Sequence, residues 1–285
     1  MTIEQILPPI VGGIIGACIG VALTHLRSKV SDRLRVVRIT RSGDPFLTGV
    51  LELYSSLFPA DGTNLSCEDI ITFFPDESGP LREDYVVVED ILLAGIMHKE
   101  VVGFILAHYF PEPRTAILSY FGIDKSSQGA RNSGATILLQ RLRRILARTN
   151  PQCEWLVFEL HHADPGLDQE TNNRRDARAA LFKQTAKQLR LRAAELMVDY
   201  VRPKWCLEPQ VVEEPMRLMC CPLVRQIALH ALPKDKAMHL LEAMYLYCYG
   251  AYYTVGDPRL KVHQEYLRHR LKMYELVLPD PVEIR

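Results

Sequence analysis

The residues best suited to chemistry lie in one stretch, IDKSSQGARNSGATILLQRLRRIL, Ile123 to Leu146. It leaves a strand-like run, crosses a loop of glycines and small polar residues, and becomes a helix alternating Leu and Arg. The first N–H groups of a helix have no partner inside it, and its N-terminus carries about half a unit of positive charge. Such an end suits an anion, phosphate above all. Gly129 and Gly134 remove the Cβ where φ is positive or where backbone must approach a ligand. Ser133 and Thr136 add hydroxyl donors, and Arg131 adds a permanent charge. An ordinary strand-to-helix turn would be built from similar residues, so this loop alone leaves both readings open.

A second set of groups closes the run CEWLVFELHH at 153–162: Glu159, His161 and His162. The histidines titrate near neutrality and so qualify as bases, or equally as surface residues of a loop. As metal ligands they lack cysteine or acidic partners at ligand spacing, and the seven cysteines contain no CxxC pair. No metal site is expected. The odd cysteine count fits reduced thiols in a cytosolic setting. Lysine and arginine together number 34 and aspartate and glutamate 34. That balance argues against a nucleic-acid partner, which requires a positive footprint.

These groups must be positioned by a larger architecture, and the chain begins with an unusual piece of it. Ile6 to Leu26 contains no charged residue, and about 20 apolar residues span a bilayer. MTIEQ before it has only Glu4 and lacks the positive start of a cleaved signal, so an uncleaved anchor is expected over 6–26. Arg27, Lys29, Arg33, Arg35 and Arg38 follow directly. The positive side stays inside, which predicts a single-pass protein of the cell inner membrane whose remaining chain faces the cytoplasm. Gly12, Gly16 and Gly20 share one helix face. They would serve a homodimer seam, or reflect how common glycine is in membrane helices.

Beyond the anchor, RVVRIT (35–40) alternates as a strand, and FLTGVLELYSSLFP (46–59) has helical spacing ended by proline. CEDIITFF (67–74) is a second helix. DILLAGIMHK and EVVGFILAHYF form a hairpin turning at His98–Lys99–Glu100, and TAILSYFGID (115–124) is a further strand. The loop and a helix to about Arg148 follow, then the strand 153–162, a helix over 174–189, and two last strands in AAELMVDYV and PMRLMCCPL. Alternating strands and helices in this order predict an α/β mixed sheet covered by helices. Residues 225–285 add a helical C-terminal extension, 235–257 and 259–278, in which Tyr245, Tyr247, Tyr249, Tyr252 and Tyr253 crowd the first helix. Tyrosines favour half-wet interfaces. The pair is expected to pack back on the domain or form a dimer contact, with a substrate lid as a third reading.

This order of elements, with LSYFGIDKSSQGARNSGATILLQRL at its centre, resembles the GNAT superfamily of acyl-CoA-dependent N-acetyltransferases over about 35–224. The family signature is Arg or Gln, two residues, Gly, one residue, then Gly or Ala. Arg131 and Gly134 match it, and Thr136 stands where Gly or Ala is usual. A one-step shift would instead make Gly134 the second glycine, with Asn132 in the first place. VFELHHADPG, ARAALFKQ and DYVRP resemble a subgroup reading roughly EVEDP, RFYRR and DYVQP.

The resemblance implies a GNAT-like fold, acetyl-CoA as cosubstrate, and acetyl transfer to a primary amine. It implies that Gly129, Arg131, Asn132, Ser133, Gly134, Ala135 and Thr136 hold the pyrophosphate of coenzyme A. Phe121, Gly122 and Ile123 would offer backbone groups to the pantetheine arm between splayed strands. Glu159 would be the general base, matching the subgroup's glutamate. The tyrosine that protonates the leaving sulfur in many relatives is replaced by Phe182, which has no proton to give. That departure keeps two other functions open: a non-enzymatic acyl-CoA sensor, and a membrane scaffold using the fold as an interaction platform.

Overall fold

In a computed structural model of the chain, the described residues are 34–58, 64–75, 88–124, 130–162, 166, 168–209, 211–224, 230–251, 253 and 256–285. The expected anchor at 6–26, with its glycine seam, and the loop residue Gly129 lie outside them. Among the described residues no helix is long and apolar enough to cross a membrane.

Strands β1 (Arg35–Ile39), β2 (Glu89–Met97), β3 (Glu100–Phe110), β4 (Thr115–Ile123), β5 (Trp155–His161), β6 (Ala194–Leu196), β7 (Val201–Arg202) and β8 (Glu214–Pro222) form one mixed sheet. Its order is β1-β2-β3-β4-β5-β8-β6, with β7 paired to β8. Every pairing is antiparallel except that of β4 with β5. The β2–β3 hairpin turns through His98 and Lys99, both at positive φ (52° and 70°). Such a primed two-residue turn matches the strand twist and usually takes Asn-Gly.

Three groups of helices cover the two faces of the sheet. On one face lie α3 (Ala130–Thr149) and α4 (Gln169–Gln188). Leu138, Leu139, Leu142, Ile145 and Leu146 make the buried stripe of α3 at helical spacing, packed with Ile105, Ala107, Leu156 and Phe158. On the opposite face α1 (Leu47–Leu57) and α2 (Cys67–Thr72) cover β1 to β3. Leu47, Val50 and Tyr54 of α1 meet Leu92, Phe104 and Leu106. Ser66 and Asp69 form a reciprocal capping box that fixes the start of α2.

The C-terminal helices pack on that same face, beside α1 and α2. α5 (Lys234–Glu242) continues into a π-helical segment, Ala243–Cys248, and a 3₁₀ turn, Tyr249–Ala251, before α6 (Pro258–Val277). Leu240, Leu241, Met244 and Tyr245 bury with Leu267, Leu271 and Tyr274 against Phe110, Ile117, Trp155 and Val157 of the sheet. A fully buried Leu contributes about 1.5–3 kcal/mol, so this shared core ties the extension to the sheet. The chain ends in β10 (Val282–Glu283), which pairs with β9 (Ala231–Leu232).

Candidate functional site

Register places the site at the centre of the sheet. β4 and β5 pair only at Thr115–Trp155, Ala116–Leu156 and Ile117–Val157. Beyond that, β4 runs on against β3 as far as Ile123, and β5 runs on against β8 as far as His161. The two strands therefore part. The cause lies in β4: Leu106 opposes Tyr120 but Ala107 opposes Leu118, so Ser119 is an extra residue. A bulge of this kind bends its strand and sharpens the twist.

The gap has a backbone edge to offer. The Asp124 N–H donates to the Val102 carbonyl at 2.9 Å. In an antiparallel pair alternate residues face the same neighbour, so the backbone groups of Gly122 also point to β3. Those of Phe121 and Ile123 point into the gap. Gly122 has a different task. A Cβ there would lie 2.6 Å from Leu57 Cδ1 and 2.6 Å from Phe104 Cε1. Glycine lets α1 cross β4 closely.

At the gap's mouth α3 begins at Ala130. The N–H groups of Ala130, Arg131 and Asn132 precede its first hydrogen-bonded turn and lack intrahelical partners. Those of Ser133, Gly134, Ala135 and Thr136 are used within the helix. The six residues Arg131 to Thr136 thus divide: the first two present free backbone amides at the helix start, the last four do not. Gly134 is helical and buried, so it is not at a positive φ. The Thr136 hydroxyl donates to Gln188 Oε1 at 2.5 Å and joins α3 to the end of α4.

Across the gap on the α3 and α4 face, Phe182 stacks on Phe158 at 4.6 Å between centroids and meets Phe121 edge-on at 5.3 Å. It touches one aromatic ring from each parted strand. An apolar pocket continues beneath it between the two helices, bordered by Leu139, Leu156, Ala186 and Leu189.

On the other face, Tyr120 and Glu159 flank the gap. Tyr120 opposes Leu106 on β3, and Glu159 opposes Leu218 on β8. Glu159 is half-buried, and both its oxygens are engaged. The Tyr200 hydroxyl donates to Oε1, and the Tyr249 hydroxyl donates to Oε2 at 2.7 Å. Burial pushes the Glu159 carboxyl above the usual carboxylate range, against the opposing pull of the two phenols and of Arg202. Arg202 donates to Glu214 Oε2 at 2.7 Å, and His161 Nδ1 lies 2.9 Å from Glu214 Oε1. The hydrogen bond from His161 comes first, with the charges of His161 and Arg202 added, in holding Glu214 below the usual carboxylate range.

The extension builds part of this cluster. The Tyr245 hydroxyl donates to the Val201 carbonyl at 2.5 Å. Tyr274 accepts from the Val201 N–H at 2.8 Å and donates to the Asp199 carbonyl at 3.0 Å. These three bonds fix the segment that bears Tyr200 and Arg202. Farther along the same face, Asp90 Oδ1 lies 2.6 Å from His108 Nδ1, with Phe73 edge-on to the histidine ring.

The structure thus brings Phe121, Ile123, Glu159, His161 and the start of α3 to one gap, and places His162 at its exposed end. Tyr200, Arg202, Tyr249 and the Asp90–His108 pair were not among the expected site residues. Tyr200 and Arg202 lie within DYVRP, the segment already singled out. Tyr249 had only the crowding of tyrosines as a signal. Among the described residues no group of three or more His, Cys, Asp or Glu is arranged to hold a metal ion.

No family model matches the sequence, and no curated protein matches it. Solved structures do show likeness. A putative acetyltransferase from the GNAT family of Bacteroides thetaiotaomicron is 18% identical over 75% of this chain and 98% of that chain, with a TM-score of 0.47. The aminoglycoside 6'-N-acetyltransferase of Enterococcus faecium is 16% identical over 68% and 99%, at 0.42. An aminoglycoside 6'-N-acetyltransferase complexed with coenzyme A is 14% identical over 68% and 99%, at 0.45. At TM-scores below 0.5 none of these carries weight beside the chain's own geometry.

Proposed function

We propose that this chain is an acyl-CoA-dependent N-acetyltransferase of the GNAT type, moving an acetyl group from acetyl-CoA to a primary amine. One observation carries the reading: the bulge at Ser119 and the loss of β4–β5 pairing after Ile117–Val157, which leave the backbone of Phe121 and Ile123 open beside the start of α3. A pantetheine arm carries amide groups that can pair with such an edge as a strand would. The pyrophosphate of the same molecule suits the free amides of α3, with Arg131 as supporting charge.

The chemistry asks little of the chain. An N–H group at the gap edge, from Phe121 or Ile123, faces the thioester carbonyl as negative charge develops on its oxygen. Glu159, its carboxyl raised above the usual carboxylate range by burial, is the base for the attacking amine. Phe182 keeps the gap apolar and gives no proton to the leaving sulfur. The thiol has a reference pKa of about 8.5, so the thiolate leaves without an acid at that point.

Residues 6–26 would anchor the chain in the cell inner membrane with the acetyltransferase domain, about 35–224, on the cytoplasmic side and 225–285 as its extension. The support is the charge-free stretch and the five basic residues after it. Phe182 favours a second reading, a non-enzymatic acyl-CoA sensor on the same site.

Calorimetric titration with coenzyme A tests the site, and a coupled assay of acetyl transfer to a panel of amines tests the activity. Arg131→Ala should weaken coenzyme A binding by about 1–3 kcal/mol, and Gly134→Val should abolish it. If both variants bind as wild type does, the gap is not an acyl-CoA site. Binding without transfer to any amine would favour the sensor.

A further inference from the structure

Glu159 is no ordinary exposed base, because both its oxygens already accept from phenols. The two phenols differ. Tyr200 is 1% exposed and sealed in the core. Tyr249 is only half-buried and stands on the face of the sheet where Tyr120 and Glu159 border the gap. Of the two phenols on the carboxylate, it belongs to the residue that keeps some exposed surface.

The chain distorts a helix to put it there. In an unbroken α-helix each residue turns about 100° around the axis, so Tyr245, Tyr249 and Tyr253 would share one face. Tyr245 is wholly buried in the core, its hydroxyl on Val201. The π-helical segment Ala243–Cys248 closes its bonds over five residues and turns less per residue than an α-helix, so Tyr249 does not keep the α-helical phase relative to Tyr245, and its hydroxyl lies on Glu159. Single π turns inside helices occur frequently at functional sites. The distortion is then held: His263, fully buried, has Nε2 3.0 Å from the Tyr249 carbonyl, while its Nδ1 has no partner. A buried polar nitrogen left without a partner costs stability, and here it accompanies the fixing of one tyrosine.

We infer that Tyr249 is a catalytic residue, its phenol passing the proton of the acceptor amine to Glu159. This rests on the acetyl-transfer reading above. As nitrogen bonds to the carbonyl carbon, its N–H bond breaks and an O–H bond forms on the Tyr249 oxygen. The original Tyr249 O–H breaks and an O–H forms on Glu159 Oε2, so the phenol is unchanged overall. The electrons of the C–S bond leave with the thiolate, and the proton on Glu159 reaches it through water. His263 is a positioning residue that acts through Tyr249. The relay assigns the C-terminal extension a part in the reaction and accounts for a tyrosine reaching the site from the face opposite Phe182.

The test uses the full-length protein, acetyl-CoA, and whichever of spermidine, L-lysine, kanamycin or an unblocked peptide is acetylated fastest. Tyr249→Phe should stay folded, with a melting temperature no lower than that of Tyr200→Phe, and keep the acetyl-CoA affinity while kcat falls about 100-fold, the lower range for proton-transfer catalysis. In mixtures of light and heavy water, the wild-type rate should fall along a bowed curve, because two protons move together. In Tyr249→Phe the curve should become a straight line. Tyr200→Phe, altering the sealed phenol, should keep the bow. An unchanged kcat, or a bow that persists in Tyr249→Phe, overturns the relay while leaving acetyl transfer standing. A wild-type protein that binds acetyl-CoA and acetylates none of the four amines overturns the relay together with the transfer reading.

Discussion

Gly122→Ala separates two reasons for a glycine in the middle of the site. The added methyl carbon would start 2.6 Å from Leu57 Cδ1 and 2.6 Å from Phe104 Cε1, against about 3.5–4.0 Å for carbon atoms at ease. Leu57 is half-buried at the end of α1, so its tip can rotate away. Phe104 is 1% exposed and boxed in by edge contacts with Tyr54 at 6.1 Å and Phe58 at 6.3 Å. It cannot give without moving α1. Overpacking of this kind costs about 1–3 kcal/mol. For a domain of this size that lowers Tm by about 2–4 °C per kcal/mol. Adding Leu57→Ala should return part of the loss, because one of the two overlaps vanishes, and the two substitutions should be non-additive. Thermal melts of the four proteins in that cycle, with coenzyme A titrations beside them, are the assay. Since the backbone groups of Gly122 face β3 and not the gap, coenzyme A affinity should hold. A melt unchanged by Gly122→Ala, coupled with lost coenzyme A binding, would show that the glycine serves the ligand and that α1 does not cross β4 as described.

Three further outcomes follow from named groups. The carboxyl of Glu159 is raised by burial, so the native state binds its proton more tightly than the unfolded chain; its ionisation costs stability as pH rises above the ordinary carboxylate range. Glu159→Gln should therefore raise Tm at neutral pH relative to wild type and lose that advantage below about pH 4.5, where the unfolded group is protonated too; a gain of equal size at both pH values would refute the burial argument. Glu214 has the opposite sign, held down first by the His161 hydrogen bond, so its contribution is present above the unfolded pKa and disappears as pH falls through the folded one. Melts of Glu214→Gln should be flatter than wild type on the acid side, and parallel curves would count against the His161–Glu214–Arg202 set. Burial pushes the Cys153, Cys220 and Cys221 thiols up to about 12. Iodoacetamide at pH 8 should leave them unmodified until the protein unfolds, as mass spectrometry of labelled peptides would show, and rapid native labelling of any of the three would contradict their packing.

Much of the architecture was legible in periodicity. The hairpin at His98–Lys99 shows as two apolar runs meeting at a polar break, and the residues that bury against β3 and β5 sit in α3 at the spacing its leucines display. Side-chain period records which face is buried, and that information is local. That α3 opens on unspent amides was legible from helix geometry alone, since its first turn has no preceding carbonyls within the helix. Its division was not: which amides are spent depends on where the first hydrogen-bonded turn closes, and the structure begins the helix at Ala130.

What lay beyond the sequence was everything set by register and by contact across long separations. The extra residue at Ser119 has no local mark, because a bulge is a relation between β3 and β4 and not a property of either. Phe182 was recognisable by type, yet its place against Phe121 and Phe158 needed two strands to part and a helix to cover them. Glu159 read as a carboxylate at a strand end, where solvent would be the usual company. Only packing surrounds it with Tyr200, from 41 residues on, and Tyr249, from 90 residues on. The π turn that aims Tyr249 is the sharpest case. Helical period in the sequence puts that tyrosine beneath Tyr245; the π turn changes that phase, and the tertiary core accompanies it by burying Met244 and Tyr245 and holding the Tyr249 carbonyl beside His263. Local pattern determines which elements form and which faces they bury, because those depend on neighbours in the chain. The company a functional group keeps depends on partners far along it, and that only the fold decides.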